Sequence, residues 1–372
     1  MLFAGFSTFS LLYATQPLLP LFAAQYRLSA EAASLAVSAA TGPLAVGILV
    51  AGALSDRWGR RPLMVSAMLA AALLTTLAAV APGWWALIAL RVLTGLALAG
   101  VPAVAMAYVS EEVDAGSVGA AMGLYIAGSA LGGMGGRLLA SLLADVASWR
   151  WALAGAGVIG LAMAEAFRRL APASQRFVAA RVRPSFAPLR DPVLRLLYAE
   201  AFLLMGVFVT IYNYAGFRLL APPYGLTQAA VGAVFLLYLL GSASSAWFGA
   251  RVQSAAIAWP ILLLIAGVAL TAASPLPLVI AGIGVVTIGF FGAHSIASAW
   301  VGARAAAARG QAAAWYLFFY YAGSSLLGSA GGVAWSRAGW PGVTGFCLAL
   351  GTLALLGAAL LRRLSRPSPA RV

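Results

Sequence analysis

Lysine is missing from this chain of 372 residues: every one of its 23 basic side chains is Arg. A phosphate-binding loop of the Gly-x-x-x-x-Gly-Lys-[Ser/Thr] type is thereby excluded, because its Lys is the group that reaches the nucleotide phosphates. The bias itself is read as genomic composition without mechanistic meaning. A single cysteine, Cys347, permits neither an internal disulfide nor a Cys metal cluster. One histidine, His294, and nine carboxylates supply little for a converging catalytic set, so no enzymatic activity, cofactor or metal is expected. Charge is scarce, at 9% of residues against 63% hydrophobic, and the mean hydropathy is +0.96. No water-soluble fold of this size hides that much apolar surface. The solvent must be lipid, and the fold class an all-α membrane protein.

What is present is a series of long apolar runs. A helix needs about 20 residues to cross the hydrocarbon. Twelve candidate spans lie at 2–22, 34–54, 63–81, 85–108, 117–140, 151–169, 193–214, 229–249, 256–273, 278–303, 312–333 and 343–361. Pro and Gly mark tight turns such as Ala81-Pro82-Gly83 and Ser274-Pro275-Leu276-Pro277. Ser29 and Thr227 are placed to N-cap the second and eighth spans. The first run opens at Met1 with no basic segment ahead of it, which points to a membrane helix rather than a cleaved signal peptide, and a short preceding cytoplasmic segment is expected.

The formal net charge of +14 is not a nucleic-acid footprint, because the Arg residues sit in short clusters flanking apolar runs. Twelve crossings put both termini on one side, and 17 of the 23 Arg fall there, which identifies it as the cytoplasm. The remaining six are Arg27, Arg91, Arg137, Arg150, Arg218 and Arg337. The hydrophilic stretch 171–192, rich in Pro and Arg, divides the chain into a six-span bundle at 1–170 and another at 193–372. Its segment 176–183 can be read either as a short basic helix on anionic headgroups or as a solvated linker.

The two halves echo one another. Tyr26-Arg27-Leu28-Ser29 matches Tyr224-Gly225-Leu226-Thr227, and Ala127-Gly128-Ser129-Ala130-Leu131 matches Ala322-Gly323-Ser324-Ser325-Leu326, at offsets of 198 and 195. Between the second and third spans stands Gly52-Ala53-Leu54-Ser55-Asp56-Arg57-Trp58-Gly59-Arg60-Arg61. The second half has only Trp247-Phe248-Gly249-Ala250-Arg251 at the corresponding place, without the Asp.

This loop resembles the signature of the major facilitator superfamily, Gly-x-Leu-[Ala/Ser]-Asp-Arg-x-Gly-Arg-[Arg/Lys], and fills every specified place. Arg91-Val92-Leu93-Thr94-Gly95 resembles the family's Arg-x-x-x-Gly motif in the fourth span. Tyr125 to Gly133 resembles its antiporter motif, with Ser129 where Pro is usual. Tyr13 to Pro20 and Glu200 to Gly206 are further similar to YnfM-like, drug:proton antiporter-type bacterial exporters. The resemblance implies two pseudo-symmetric six-helix bundles around a central cavity. It also implies a cytoplasmic gate made of Gly52, Asp56, Arg57, Gly59, Arg60 and Arg61. Asp56 would lie at the N-terminus of the eleventh span, and Arg57 or Arg60 would meet Glu111 or Glu112, latching the halves together.

Candidate site residues lie at bilayer depth. Arg91 is about 10 Å into its span and either contacts the first span or binds substrate. Glu200 is about 10 Å and His294 about 13 Å from the cytoplasmic ends of their spans. A carboxylate in low dielectric and an imidazole can both exchange protons near neutral pH, so this pair is expected to form or share the proton-coupling site. A structural Glu–His hydrogen bond is the other reading. Gln16, Tyr125, Asn213 and Tyr320, with Tyr13 and Tyr321, are expected to line the substrate cavity or to pack the bundle. Glu165 beside Arg168 and Arg169 reads as a helix-end pair. Together these features predict a monomeric, proton-coupled exporter of a small organic molecule in the bacterial inner membrane, with substrate, protons and the lipid bilayer as its partners. A proton-coupled importer of the same fold, and a transport-inactive receptor or scaffold, are the rival readings.

Overall fold

A segment immersed in lipid must satisfy its own backbone N–H and C=O groups, and the helix is how a single segment does so. The computed structural model describes residues 1–174, 186–249 and 256–364, and among these it is helical without strands. The first crossing is α1 (Leu2–Tyr13) and α2 (Leu19–Tyr26), separated by a 3-10 turn at Gln16–Leu18. Pro17 and Pro20, each without an N–H, break it there. Next come α3 (Ala30–Trp58), α4 (Arg60–Ala78), α5 (Trp84–Leu98), α6 (Ala105–Glu112), α7 (Val118–Val146) and α8 (Trp149–Leu170). The chain continues with α9 (Pro192–Leu220), α10 (Gln228–Ala233), α11 (Tyr238–Gly249), α12 (Ala258–Leu270), α13 (Leu276–Arg304) and α14 (Arg309–Leu364).

The fourth span, expected to be continuous over 85–108, is instead broken between α5 and α6 around Gly100 and Pro102. The eighth is α10 and α11 joined by a 3-10 turn, and α14 holds the last two crossings, with non-helical backbone at Ala338 and Gly339. Among the described residues eight spans are long and apolar enough to cross a membrane, counting α10 and α11 with their turn as one, and α5 and α12 are shorter apolar helices. Segment 176–183, Arg251, Arg366 and Arg371 lie outside the described residues.

Local signals act as read. Ser29 accepts from Ala32 N at 3.1 Å and Thr227 from Ala230 N at 3.2 Å, capping α3 and α10. Gly59 ends α3 and begins α4 at a φ of +85°, a backbone that disfavours any side chain. Asp191 caps α9, accepting from Val193 N at 2.8 Å and Leu194 N at 3.3 Å, and also binds Arg304 Nε at 2.8 Å. Burial opposes the charge on its carboxyl, but Arg304 and the two N–H groups outweigh that and hold it below the usual carboxylate range. Asp191→Ala is expected to lower stability by about 1 kcal/mol, chiefly through the cap. Because the folded-state carboxyl is the stronger acid, its contribution is full above the unfolded-state value. The Tm gap between wild type and variant should shrink as the pH falls through the folded-state range.

The first half packs α1 against α7 and the second packs α9 against the first leg of α14, backbone against backbone. A Cβ at Gly128 would lie 2.1 Å from Leu2 O, and one at its repeat counterpart Gly323 would lie 2.1 Å from Phe202 O. Between α3 and the first leg of α14, Ser38 Oγ and Ser329 Oγ share a hydrogen bond of 2.5 Å, and Ser325 Oγ donates to Ser38 O at 3.1 Å. Gln228, at the start of α10, donates through its backbone N to Asp145 Oδ1 at 3.0 Å and through Nε2 to Pro17 O at 2.6 Å. The contacts between the halves, at Ser38, Ser325 and Ser329 and at Gln228, lie toward the end of the molecule remote from the termini. Toward the other end, a Cβ at Gly52, Gly119, Gly123 or Gly310 would meet nothing within 4 Å. No residue of α7 before Gly128 is buried. Among the described residues, the hydrogen bonds between the halves thus lie at the end remote from the termini, here termed the shut end, and the opposite one is termed the open end.

Candidate functional site

The broken first crossing determines what lies at mid-depth. Helix α1 stops at Tyr13, so the carbonyls of its last turn have no full set of helical partners. Arg91 of α5 takes them: Nη1 donates to Leu11 O at 3.0 Å, Nη2 to Leu12 O, and Nε to Ala36 O of α3 at 3.0 Å. Gly95, one turn on, lets α5 sit directly against α3, since a Cβ there would lie 2.0 Å from Ala40 O. Arg91 is 0% exposed. Of the two readings of Arg91, these bonds favour the contact with the first span: backbone acceptors engage all three of its nitrogens and join the fourth span to the first two.

Gln16, expected in the cavity, lies in the 3-10 turn and is buried. Its Nε2 donates to Asn213 Oδ1 of α9 at 2.7 Å, and its Oε1 accepts from Arg137 Nε of α7 at 2.6 Å. Gln16 and Asn213 are separated by 197 residues, within the 195–198 range of the repeat offsets, so two pseudo-equivalent side chains meet where the halves meet. Arg137 is 2% exposed and also donates through Nη1 to Gly133 O. Its guanidinium carbon lies 4.2 Å from the ring centroid of Tyr13, 4.9 Å from that of Tyr238 and 5.2 Å from that of Phe235. Sequence reasoning misses this arginine as a site residue. The available signal was its place one residue beyond the ladder Gly128, Gly132, Gly136, on the helix face that must touch the first span.

From this cage a run of rings leads to His294. Tyr238 and Phe208 have centroids 5.5 Å apart, Phe208 stacks on Phe290 at 4.0 Å, and Phe290 stacks on His294 at 5.8 Å. Tyr320 lies 4.9 Å from the His294 ring and 5.0 Å from that of Tyr321. Tyr125 is half-buried on α7, its carbonyl at the crossing with α1. His294 Nδ1 is hydrogen-bonded to Tyr316 Oη at 2.9 Å. Glu200 is 1% exposed, its Oε2 has no hydrogen-bond partner, and its Oε1 faces Gly357, where a Cβ would come within 2.3 Å. The Glu200–His294 hydrogen bond of the alternative reading is not among the described contacts. Tyr316 is bonded to His294.

At the open end, Arg60 Nη2 pairs with Glu111 Oε1 at 3.1 Å, and its Nη1 donates to Ser55 Oγ, which in turn donates to Gly52 O at 2.6 Å. Arg61 donates through its backbone N to Ser174 Oγ at 3.1 Å and through Nη2 to Arg168 O. Arg57 is exposed and Glu112 half-buried. The Arg60–Glu111 pair therefore joins α4 to α6 inside the first half; it does not bridge the halves, since both partners precede residue 171. The Asp56 contact with the eleventh span lies outside the described residues. Glu165 pairs with Arg168 at 2.6 Å and Arg169 at 2.5 Å, an ordinary helix-end cluster.

Known proteins share both sequence and fold with this chain. The family model described as Major Facilitator Superfamily matches residues 1–258. The MFS-type transporter YybF of Bacillus subtilis (strain 168) is 41% identical, over 98% of this chain and 93% of that protein. The inner membrane transport protein YnfM of Escherichia coli (strain K12) is 43% identical, over 97% and 89%. A bacterial homolog of the human lysosomal transporter Spinster, solved in an inward-facing and occupied conformation, superposes with a TM-score of 0.78 over 99% of this chain and 98% of its own, at 15% identity.

Proposed function

The chain belongs to the Major Facilitator Superfamily, and on that footing we propose that it moves a small organic molecule across the inner membrane by alternating access, coupled to protons. The family is one of transporters, and this member is a multi-pass membrane protein. The observation that carries the proposal is the asymmetry of closure. Among the described residues, polar contacts between the halves are found toward one end, at Ser38–Ser329 and Gln228–Asp145, and the buried Gln16–Asn213–Arg137 cluster lies where the halves meet. Residues 1–170 and 193–372 act as two bundles that rock about this layer, joined by the linker 171–192. With both termini cytoplasmic, the described state faces inward.

Coupling is assigned to Glu200 and His294, with Tyr316 bonded to His294. A buried carboxyl with an orphaned oxygen is stabilised or strained by a single proton far more than an exposed one, so its occupancy can bias which end of the protein opens. Export rather than import rests on the likeness of Tyr125 to Gly133 to the antiporter motif. The test is flux in proteoliposomes under an imposed pH gradient with drugs, sugars, amino acids and organic acids. Substrate moving against protons is the expected result, substrate moving with protons would make the chain an importer, and no flux of any class would overturn the transport reading.

A further inference from the structure

An arginine carries five N–H donors and no acceptor. In Arg137 two are engaged, on Gln16 Oε1 and Gly133 O, and a third faces the Tyr238 hydroxyl, which leaves two N–H groups on the guanidinium. No carboxylate pairs with it among the described residues. Ring faces cover its flanks but offset only part of the cost of placing a cation at this depth without a counter-ion.

The neighbouring amides are polarised by the same cation. Because Arg137 can only donate, Gln16 Oε1 must accept, its nitrogen must donate to Asn213 Oδ1, and Asn213 Nδ2 is left as a buried donor without a partner. The two halves thus contribute unsatisfied donors to one place, and the complement of such a set is an acceptor-only group. Beyond it the wall is made of ring faces, Tyr238, Phe208 and Phe290 leading to Tyr320. Such a wall offers few of the hydrogen bonds that a sugar would need.

We propose that this cage is the substrate site and that its substrate class is the aromatic carboxylates, with the carboxyl group held by the two remaining N–H groups of Arg137 and the ring lying along the Phe290–Tyr320 wall. The assignment names the substrate class of the transporter proposed above and rests on that reading. Its test is equilibrium binding in lipid nanodiscs with no gradient, so that a failure of transport and a failure of the site are read separately. The probes are 4-hydroxybenzoate and its neutral isostere 4-hydroxybenzamide, titrated calorimetrically.

Wild-type protein is expected to bind the acid saturably and to prefer it over the amide by about tenfold or more. Arg137→Gln is expected to abolish that preference, and Arg137→Lys to retain part of it. Equal binding of acid and amide, no saturable binding of the acid to folded wild-type protein, or unchanged acid affinity in Arg137→Gln would each overturn the proposal. The first two comparisons need no variant, so they stand even if Arg137→Gln fails to fold. Binding of the acid together with absence of any flux would retain the site and remove the transporter.

Discussion

Glu200→Gln is expected to abolish accumulation driven by a pH gradient while leaving substrate exchange across the membrane intact. The amide keeps the shape of the carboxyl against Gly357 but cannot exchange a proton under physiological conditions. With an imposed difference of about two pH units, coupling to one proton sustains about a hundredfold substrate gradient, and the variant should fall to equilibration. Counterflow, in which labelled substrate exchanges for unlabelled without net work, should persist, which separates lost coupling from lost folding. Tyr316→Phe removes the hydroxyl bonded to His294 without removing either titratable group. It should slow coupled flux rather than end it. If Glu200→Gln retained its full response to the pH gradient, the coupling site would have to be placed elsewhere.

Gly332→Val should force open the shut end. A Cβ there would lie 2.5 Å from Glu31 Cα and 2.6 Å from Tyr214 Oη, so the added side chain must push the first leg of α14 away from α3. Overpacking of this kind costs about 1–3 kcal/mol, enough to shift a two-state equilibrium by about 5- to 150-fold. The readout is the labelling rate of Ser38→Cys by a membrane-impermeant maleimide applied from the side of the shut end, with Cys347, itself buried, replaced by Ala. Labelling should accelerate in Gly332→Val and less so in Gly332→Ala. It should not change in Gly119→Val, where a Cβ would meet nothing within 4 Å. Equal rates in all three would mean that the Ser38–Ser329 contact does not close the protein.

The shared offset between the halves gives both expectations a common frame. Gly128 and Gly323 make the same backbone approach, and Gln16 and Asn213 stand in corresponding first-helix positions of the two repeats. A duplicated fold brings such positions together near its pseudo-symmetry axis, and a site there senses the relative motion of both halves. Arg137 has no counterpart of like charge in this cluster, so the site is symmetric in its amides and asymmetric in its charge.

Much of the architecture was legible in the order of residues alone. Apolar run length sets how often the chain can cross lipid, Ser29 and Thr227 cap their helices through bonds three residues away, and Gly59 is required by a local φ. Each depends on chemistry within a few neighbours, so no other part of the fold can overrule it. The two arginines show the opposite case. Arg91 and Arg137 look alike in sequence, one inside a recognisable motif and one outside it. Which of them is bonded to backbone through every nitrogen was decided by the carbonyls of Leu11, Leu12 and Ala36, and which sits in a ring cage by side chains brought in from α1, α11 and the turn before it. A buried cation has no fixed role of its own, because its energy is set by acceptors that only packing delivers. The tertiary structure alone therefore decided where the open chemistry of this protein lies.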